Sequence, residues 1–221
     1  MVFDSKLTVL AGLNGSGKTT IAVNIAVFLG KRQVKLRFDE VLLADLDIVN
    51  PYFRSKDAEK TLLEANVTFV SSEYAGSGLE APSLPKAVDK IFSAQGFVIA
   101  DVGGDEAGVT VLGRYTKEIQ AAPDKQFLFV FNPYRMLTQT VPDTKEILHG
   151  IESVSRLPFT GILYNPNLGA ATTAEDVRRK LPLVNELAKE TNLPIVATCV
   201  LRHLAPQLQD IENLFPMDLI W

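Results

Sequence analysis

The chain has 221 residues, of which 47% are hydrophobic and 22% charged, with a formal net charge of −4. That composition suits one globular domain, residues 1–221, large enough to bury a real core, and it argues against a broad nucleic-acid-binding face. A single cysteine, Cys199, excludes an intrachain disulfide framework and a zinc ribbon, and an iron–sulfur cluster would need ligands shared between subunits.

Short apolar runs recur along the chain: Leu7–Ala11, Val41–Ala44, Val67–Val70, Phe97–Ala100, Phe127–Phe131, Phe159–Tyr164 and Ile195–Val200. Each is nearly all apolar and rich in Val, Ile, Leu or Phe. Runs of that kind read as strands buried on both faces, as in a parallel sheet covered by helices. Helical patterns alternate with them at Lys18–Leu29, Leu84–Ala94, Val109–Ala121, Leu137–Ser153 and Ala174–Thr191. Gly30 and Gly96 follow two of these, where a left-handed residue is expected after the helix. Thr173 and Asp176 have the spacing of a capping box, and Pro182 predicts a break in the last helix. The expected fold class is α/β: a doubly wound, mostly parallel sheet of about seven strands with helices on both faces. No run reaches the length of a membrane span, and Met1–Lys6 lacks the features of a signal peptide, so the expected location is cytoplasmic, with no membrane partner.

The first strand runs directly into Gly12-Leu13-Asn14-Gly15-Ser16-Gly17-Lys18-Thr19-Thr20. This satisfies G-x-x-x-x-G-K-[ST] in full, between an apolar strand and an amphipathic pattern, Ile21–Val27. The loop backbone is expected to turn its N–H groups around phosphate oxygens, at the positive end of the following helix. Gly12, Asn14, Gly15, Ser16, Gly17, Lys18, Thr19 and Thr20 are therefore candidate nucleotide-binding residues. Lys18 is expected to reach the β- and γ-phosphates, and the Thr19 hydroxyl to hold Mg²⁺.

Carboxylates follow at the ends of later strands. Val41–Ala44 leads into Asp45-Leu46-Asp47, and Phe97–Ala100 into Asp101-Val102-Gly103-Gly104. Asp101 suits the Walker B role of holding Mg²⁺, while Gly104 suits a switch glycine whose N–H senses a γ-phosphate. Asp45 and Asp47 fall on one side of an extended chain, where one supports the metal and the other orients the attacking water.

Taken in order, the P-loop, the Asp-x-Asp and the Asp-x-x-Gly resemble the MinD/ParA (CobQ/CobB/MinD/ParA) group of P-loop ATPases. Phe131-Asn132-Pro133 is similar to the Asn-Pro turn of that group, and Gly161-Ile162-Leu163-Tyr164-Asn165 to its strand ending in a base-contacting Asn. The resemblance covers roughly residues 6–200. It implies that Lys18 and Asp47 are catalytic, with Asp47 positioning water. It also implies that Thr19, Asp45 and Asp101 serve the metal, that Asn165 reads adenine, and that ATP and Mg²⁺ are the cofactors. A nucleotide-dependent homodimer and a protein partner are implied as well. One position departs: Leu13 stands where the group carries a signature Lys that reaches a partner's nucleotide. Another cation replaces it, or hydrolysis is slow, or the protein switches without that dimer. Arg54, in Asn50-Pro51-Tyr52-Phe53-Arg54, is a candidate cation.

The expected function is a nucleotide-dependent ATPase switch with slow hydrolysis. Alternatives on the same scaffold are an ATP-dependent small-molecule synthetase, of the dethiobiotin synthetase kind, and a non-hydrolysing nucleotide-sensing adaptor. A GTP-dependent metal chaperone would need an Asn-Lys-x-Asp base motif and a Cys/His site, and neither is in the sequence. Cys199 reads as a small buried hydrophobe, the C-terminal stretch Ile211–Trp221 as a segment packed on the domain, and 71–83 as a loop without assigned chemistry.

Overall fold

A computed structural model describes residues 3–32, 40–47, 56–71, 91–104 and 106–220. Eight strands are present among them: β1 Leu7–Ala11, β2 Val41–Asp45, β3 Thr68–Ser71, β4 Phe97–Asp101, β5 Lys125–Phe131, β6 Gly161–Tyr164, β7 Ile195–Leu201 and β8 Leu214–Met217. They form one sheet in the order β3-β2-β4-β1-β5-β6-β7-β8, with every neighbouring pair parallel. The seven sequence-predicted strands are found with their ends moved by a few residues. The eighth was not expected as a strand, because Pro216 reads as a breaker. Its place at the sheet edge explains the tolerance, since an edge strand has one row of donors with no ladder to complete.

Seven helices lie wholly among the described residues, α1 Lys18–Gly30, α2 Lys56–Glu64, α3 Glu106–Arg114, α4 Thr116–Ala121, α5 Val141–Ser155, α6 Ala174–Arg179 and α7 Leu181–Thr191, and residues 91–93 are helical as well. Alternation along the strands sends side chains to two cores. Leu10, Leu43, Ile99, Leu128 and Leu163 pack with Ile21, Ile25 and Leu29 of α1 and Leu62 of α2. Val9, Leu42, Ala100, Phe129 and Ile162 pack on the other face with α3, α5, α6 and α7 through Leu112, Leu148, Val177 and Leu187. Helices therefore cover both faces, as the all-apolar strands require.

Several local expectations are modified. The pattern over 109–121 is two helices, and that over 174–191 breaks at Lys180, with Pro182 in the first turn of α7 where its missing N–H costs nothing. The Thr173–Asp176 capping box is present in both directions. The pattern over 137–153 is a short 3-10 turn, Met136–Thr138, followed by α5, whose N-cap is Thr140. Gly30 is not a left-handed cap. It is the last residue of α1, and a Cβ there would strike the Ala65 carbonyl. Gly96 likewise has no positive φ, and a Cβ would collide with the Glu40 backbone, so both glycines serve close approach instead. α1 is buried nearly all round over Ile21–Ala26, rather than amphipathic. Its buried Asn24 donates to the Asp218 carbonyl at 3.0 Å and accepts from the Asp218 N–H at 2.9 Å, tying the chain beyond β8 to the central helix. The C-terminal stretch thus packs on the domain. Most of the predicted helix 84–94 and of the loop 71–83 lies outside the described residues. Among the described residues, no helix is long and apolar enough to cross a membrane.

Candidate functional site

β1, β4 and β5 lie side by side at the centre of the sheet, and the loops leaving their carboxyl ends meet there. β1 passes into the glycine-rich loop. Gly12, at φ 153, sits so close to β5 that a Cβ would be 2.6 Å from the Val130 carbonyl oxygen. Gly17, at φ 95, is the left-handed residue from which α1 starts. These conformations suit glycine and explain why the loop can curl tightly at the head of the helix. The Ser16 N–H donates to the Leu13 carbonyl at 3.0 Å, closing the turn. Lys18 is 6% exposed, and its Nζ donates to the Gly12 carbonyl at 3.1 Å and the Leu13 carbonyl at 3.2 Å. The ammonium is thus folded across the mouth of the loop. An anion entering the loop would compete with these two carbonyls for the ammonium.

β4 supplies Asp101, which pairs in register with Asp45 of β2 and with Leu10 of β1. Three strands thereby place a carboxylate beside the first turn of α1. Asp101 is 3% exposed, and its Oδ1 is buried without a hydrogen-bond partner. Burial pushes the Asp101 carboxyl up to about 6, against the hydrogen bond from Thr19 and the positive charge of Lys18, with Asp47 adding to the rise. A carboxylate held this way gains from a divalent cation, which would offset the desolvation of its charged form. The Asp101–Thr19 hydrogen bond also puts together two groups expected to hold Mg²⁺ in such a loop. No cage of three or more metal-ligating side chains occurs among the described residues. A Mg²⁺ bound mainly by phosphates, waters, one hydroxyl and a carboxylate does not need one. The residues present therefore fit the ion.

Asp45 is 7% exposed, and its Oδ1 accepts from the Asp47 N–H at 2.9 Å. That short turn re-aims Asp47, whose carboxylate lies over the backbone of Gly103, where a Cβ would be 3.0 Å from Asp47 Oδ1. Gly104 is closer still to the loop. A Cβ on it would be 2.5 Å from Lys18 Nζ and 2.6 Å from both the Asn14 nitrogen and Asn14 Oδ1. The structure thus brings Asn14, Lys18, Thr19, Asp47, Asp101 and Gly104 into one neighbourhood.

Asn165 follows β6. It is 1% exposed, its Nδ2 donates to the Ser16 carbonyl at 2.7 Å, and its Oδ1 is buried without a partner. Half of its amide is therefore spent on the phosphate loop rather than offered to solvent. Arg54 lies outside the described residues. Cys199 is buried in β7, where desolvation drives its thiol well above the ordinary range, so it behaves as an apolar side chain.

One neighbour of the loop carries no sequence motif. Arg135 stands in the turn after β5, and its guanidinium would lie 3.2 Å from a Cβ placed on Gly15. The turn is held by Asn132, which accepts from the Tyr134 N–H at 3.0 Å and donates to the Asn167 carbonyl at 3.0 Å. Phe131-Asn132-Pro133 pointed to a turn here, but nothing in the sequence pointed from residue 135 to residue 15.

No family model matches the sequence, and no curated protein is significantly similar to it. Solved structures are similar in fold. A signal recognition particle receptor FtsY from Elizabethkingia anophelis is 17% identical, with a TM-score of 0.51, over 87% of this chain and 58% of that one. The cell division protein FtsY from Thermotoga maritima is 21% identical, with a TM-score of 0.50, over 87% of this chain and 64% of that one. The Elizabethkingia protein in complex with GDP is 16% identical, with a TM-score of 0.50, over 87% and 56%. The chain thus spans less than two thirds of these proteins. What they share with it is the α/β fold of P-loop NTPases.

Proposed function

We propose that this chain binds a nucleoside triphosphate with Mg²⁺ and acts as a slowly hydrolysing, MinD/ParA-like ATPase switch. The observation that carries the reading is the convergence of Lys18, Thr19, Asp101 and Gly104 at one end of β1 and β4. Backbone N–H groups of 12–20 would cradle the phosphates, and Lys18 would leave the Gly12 and Leu13 carbonyls for the β- and γ-oxygens. Thr19 and Asp101 would hold Mg²⁺, with Asp45 beside them. The ion would supply charge neutralisation at the phosphates. Asp47 would orient water, and its carboxylate beside Gly103 would set that water near the segment ending at Gly104. In the bound state Gly104 would sense the γ-phosphate through its N–H, making residues 101–104 the element that differs between triphosphate and diphosphate forms.

The choice of base rests on Asn165. Its Nδ2 is engaged with Ser16, which leaves Oδ1 as the group with capacity to spare. An acceptor suits the exocyclic amine of adenine and opposes the carbonyl that guanine carries at the same ring position. The Asn-Lys-x-Asp motif that would suit guanine is absent from the sequence. The FtsY structure in complex with GDP is the observation favouring a guanine nucleotide. Competition between ATP and GTP for the Mg²⁺-loaded protein separates the two, and tighter GTP binding overturns the ATP assignment.

Calorimetry tests the site itself. Lys18→Ala is expected to abolish or greatly weaken ATP binding, while Asp47→Asn keeps affinity within a few fold and loses most phosphate release, because orienting water acts on the chemical step alone. Unchanged affinity in Lys18→Ala removes the assignment of this loop. With Leu13 uncharged, turnover should be slow and rise little with protein concentration. A steep rise that coincides with ATP-dependent dimerisation would mean that another residue replaces the family's Lys.

A further inference from the structure

Arg135 is 120 residues from Gly15 in sequence, yet its Cζ, Nε and Nη1 lie 3.2, 3.4 and 3.5 Å from where a Cβ on Gly15 would stand. A guanidinium at that distance is laid against the backbone of the phosphate loop, and it fits because residue 15 is a glycine. The turn that carries it is held by hydrogen bonds. Asn132, 2% exposed, binds the turn from three directions: it accepts from Tyr134, donates to Asn167, and offers its carbonyl to Thr138 Oγ1 at 2.5 Å. The Arg135 N–H also donates to that carbonyl, at 3.2 Å.

Other arginines on this side of the sheet are committed. Arg179 pairs with Asp176 and donates to the Tyr134 hydroxyl, and Arg178 pairs with Asp210. Among the described residues, no carboxylate or carbonyl takes a hydrogen bond from the Arg135 guanidinium. An exposed planar cation with its donors unspent, carried by a held turn beside a loop shaped for anions, matches the chemistry that arginine uses to bind phosphate.

We propose that Arg135 is a nucleotide-binding residue of this site: its guanidinium donates to the phosphate chain held by the P-loop of the same molecule. This rests on the nucleotide-binding reading above and adds a cation to it. Position 13 carries leucine, and Arg135 brings a positive charge to the loop from the turn after β5. Gly15 then serves the site twice, because its φ of 72 suits glycine and a Cβ there would press on the guanidinium.

The test uses the full chain and calorimetric titration with ATPγS and Mg²⁺. Arg135→Ala should weaken binding about tenfold or more, as expected for loss of a charged hydrogen bond, with Arg135→Lys in between. Gly15→Ala should reproduce part of the loss. Melting of the nucleotide-free Arg135→Ala protein should match wild type, which separates a ligand contact from a structural one. Affinity within twofold of wild type overturns the proposal, even if turnover falls, since that outcome assigns Arg135 to a second copy's nucleotide or to the chemical step. The wild type and Lys18→Ala set the reference. If wild type binds, Lys18→Ala does not, and Arg135→Ala binds normally, only the Arg135 assignment fails. If wild type does not bind ATPγS, the nucleotide reading fails and this proposal with it.

Discussion

Replacing Gly104 by alanine adds one methyl group at the point where the end of β4 meets the phosphate loop. That methyl would stand 2.5 Å from Lys18 Nζ and 2.6 Å from the Asn14 nitrogen, whereas ordinary contact begins near 3.4 Å. Lys18 can swing only by giving up its bonds to the Gly12 and Leu13 carbonyls. Asn14 can withdraw only if the loop backbone moves. The substitution therefore forces the loop and residues 101–104 apart by most of an ångström. Overpacking of this kind costs about 1–3 kcal/mol, and each kcal/mol lowers the melting midpoint by about 2–4 °C for a domain of this size. On the proposed assignment, displacing the lysine also removes a charge-assisted contact to phosphate, a loss of about tenfold or more in affinity. ATPγS should suffer more than ADP, because the crowded groups face the end of the loop assigned to the γ-phosphate. Gly103→Ala is the control. Its nearest contacts, 3.0 Å to Asp47 Oδ1 and 3.2 Å to Asp47 Cγ and the Gly108 Cα, can relax by a few tenths of an ångström, so both effects should be smaller. Scanning calorimetry and titration with each nucleotide give the readings. Wild-type melting together with wild-type ATPγS affinity in Gly104→Ala would refute the placement of the 101–104 segment against the loop.

Asn165→Ala removes the donor to the buried Ser16 carbonyl, so it should destabilise the nucleotide-free protein by about 1–3 kcal/mol. It should also bring the ATP-to-GTP affinity ratio toward one, and a preserved ratio would take base selection away from this residue. Asp101 predicts a pH dependence in metal- and nucleotide-free protein. Its carboxyl sits at about 6 in the folded state against 3.8 as the ordinary value, so the folded protein holds this proton more tightly than the unfolded chain. The stability it contributes is full below about pH 3.8 and is lost as pH rises through about 6. Asp101→Asn should therefore be more stable than wild type at pH 8, by up to about 3 kcal/mol, with the gain fading toward pH 4. Denaturant unfolding in chelator at several pH values checks this, and a variant less stable than wild type at pH 8 would contradict it. With Mg²⁺ and ATP present the order should invert, because the amide cannot replace the carboxylate toward the ion.

The sequence by itself determined the strands and the phosphate loop. Strands covered by helices on both faces must be apolar at successive positions, so Leu7–Ala11 and Phe97–Ala100 announce themselves without reference to any partner. The loop is legible for a similar reason: its glycines, lysine and threonine lie within nine consecutive residues, and their spacing sets their geometry. Asp101 was visible because it ends such a strand, and the Thr173–Asp176 cap because both members lie within one turn. Tertiary structure decided what depends on the order of strands in the sheet, for which no local pattern exists. Placing β5 beside β1 lays Arg135 on Gly15, and placing β4 on the other side sets Gly104 against Asn14 and Lys18. The edge position that lets β8 carry Pro216 is likewise a property of the sheet and not of its four residues. Asn165 shows the boundary within one side chain. Its place at the end of a strand could be read from the chain, but the commitment of its Nδ2 to Ser16 arises only when residues 149 positions apart are folded together.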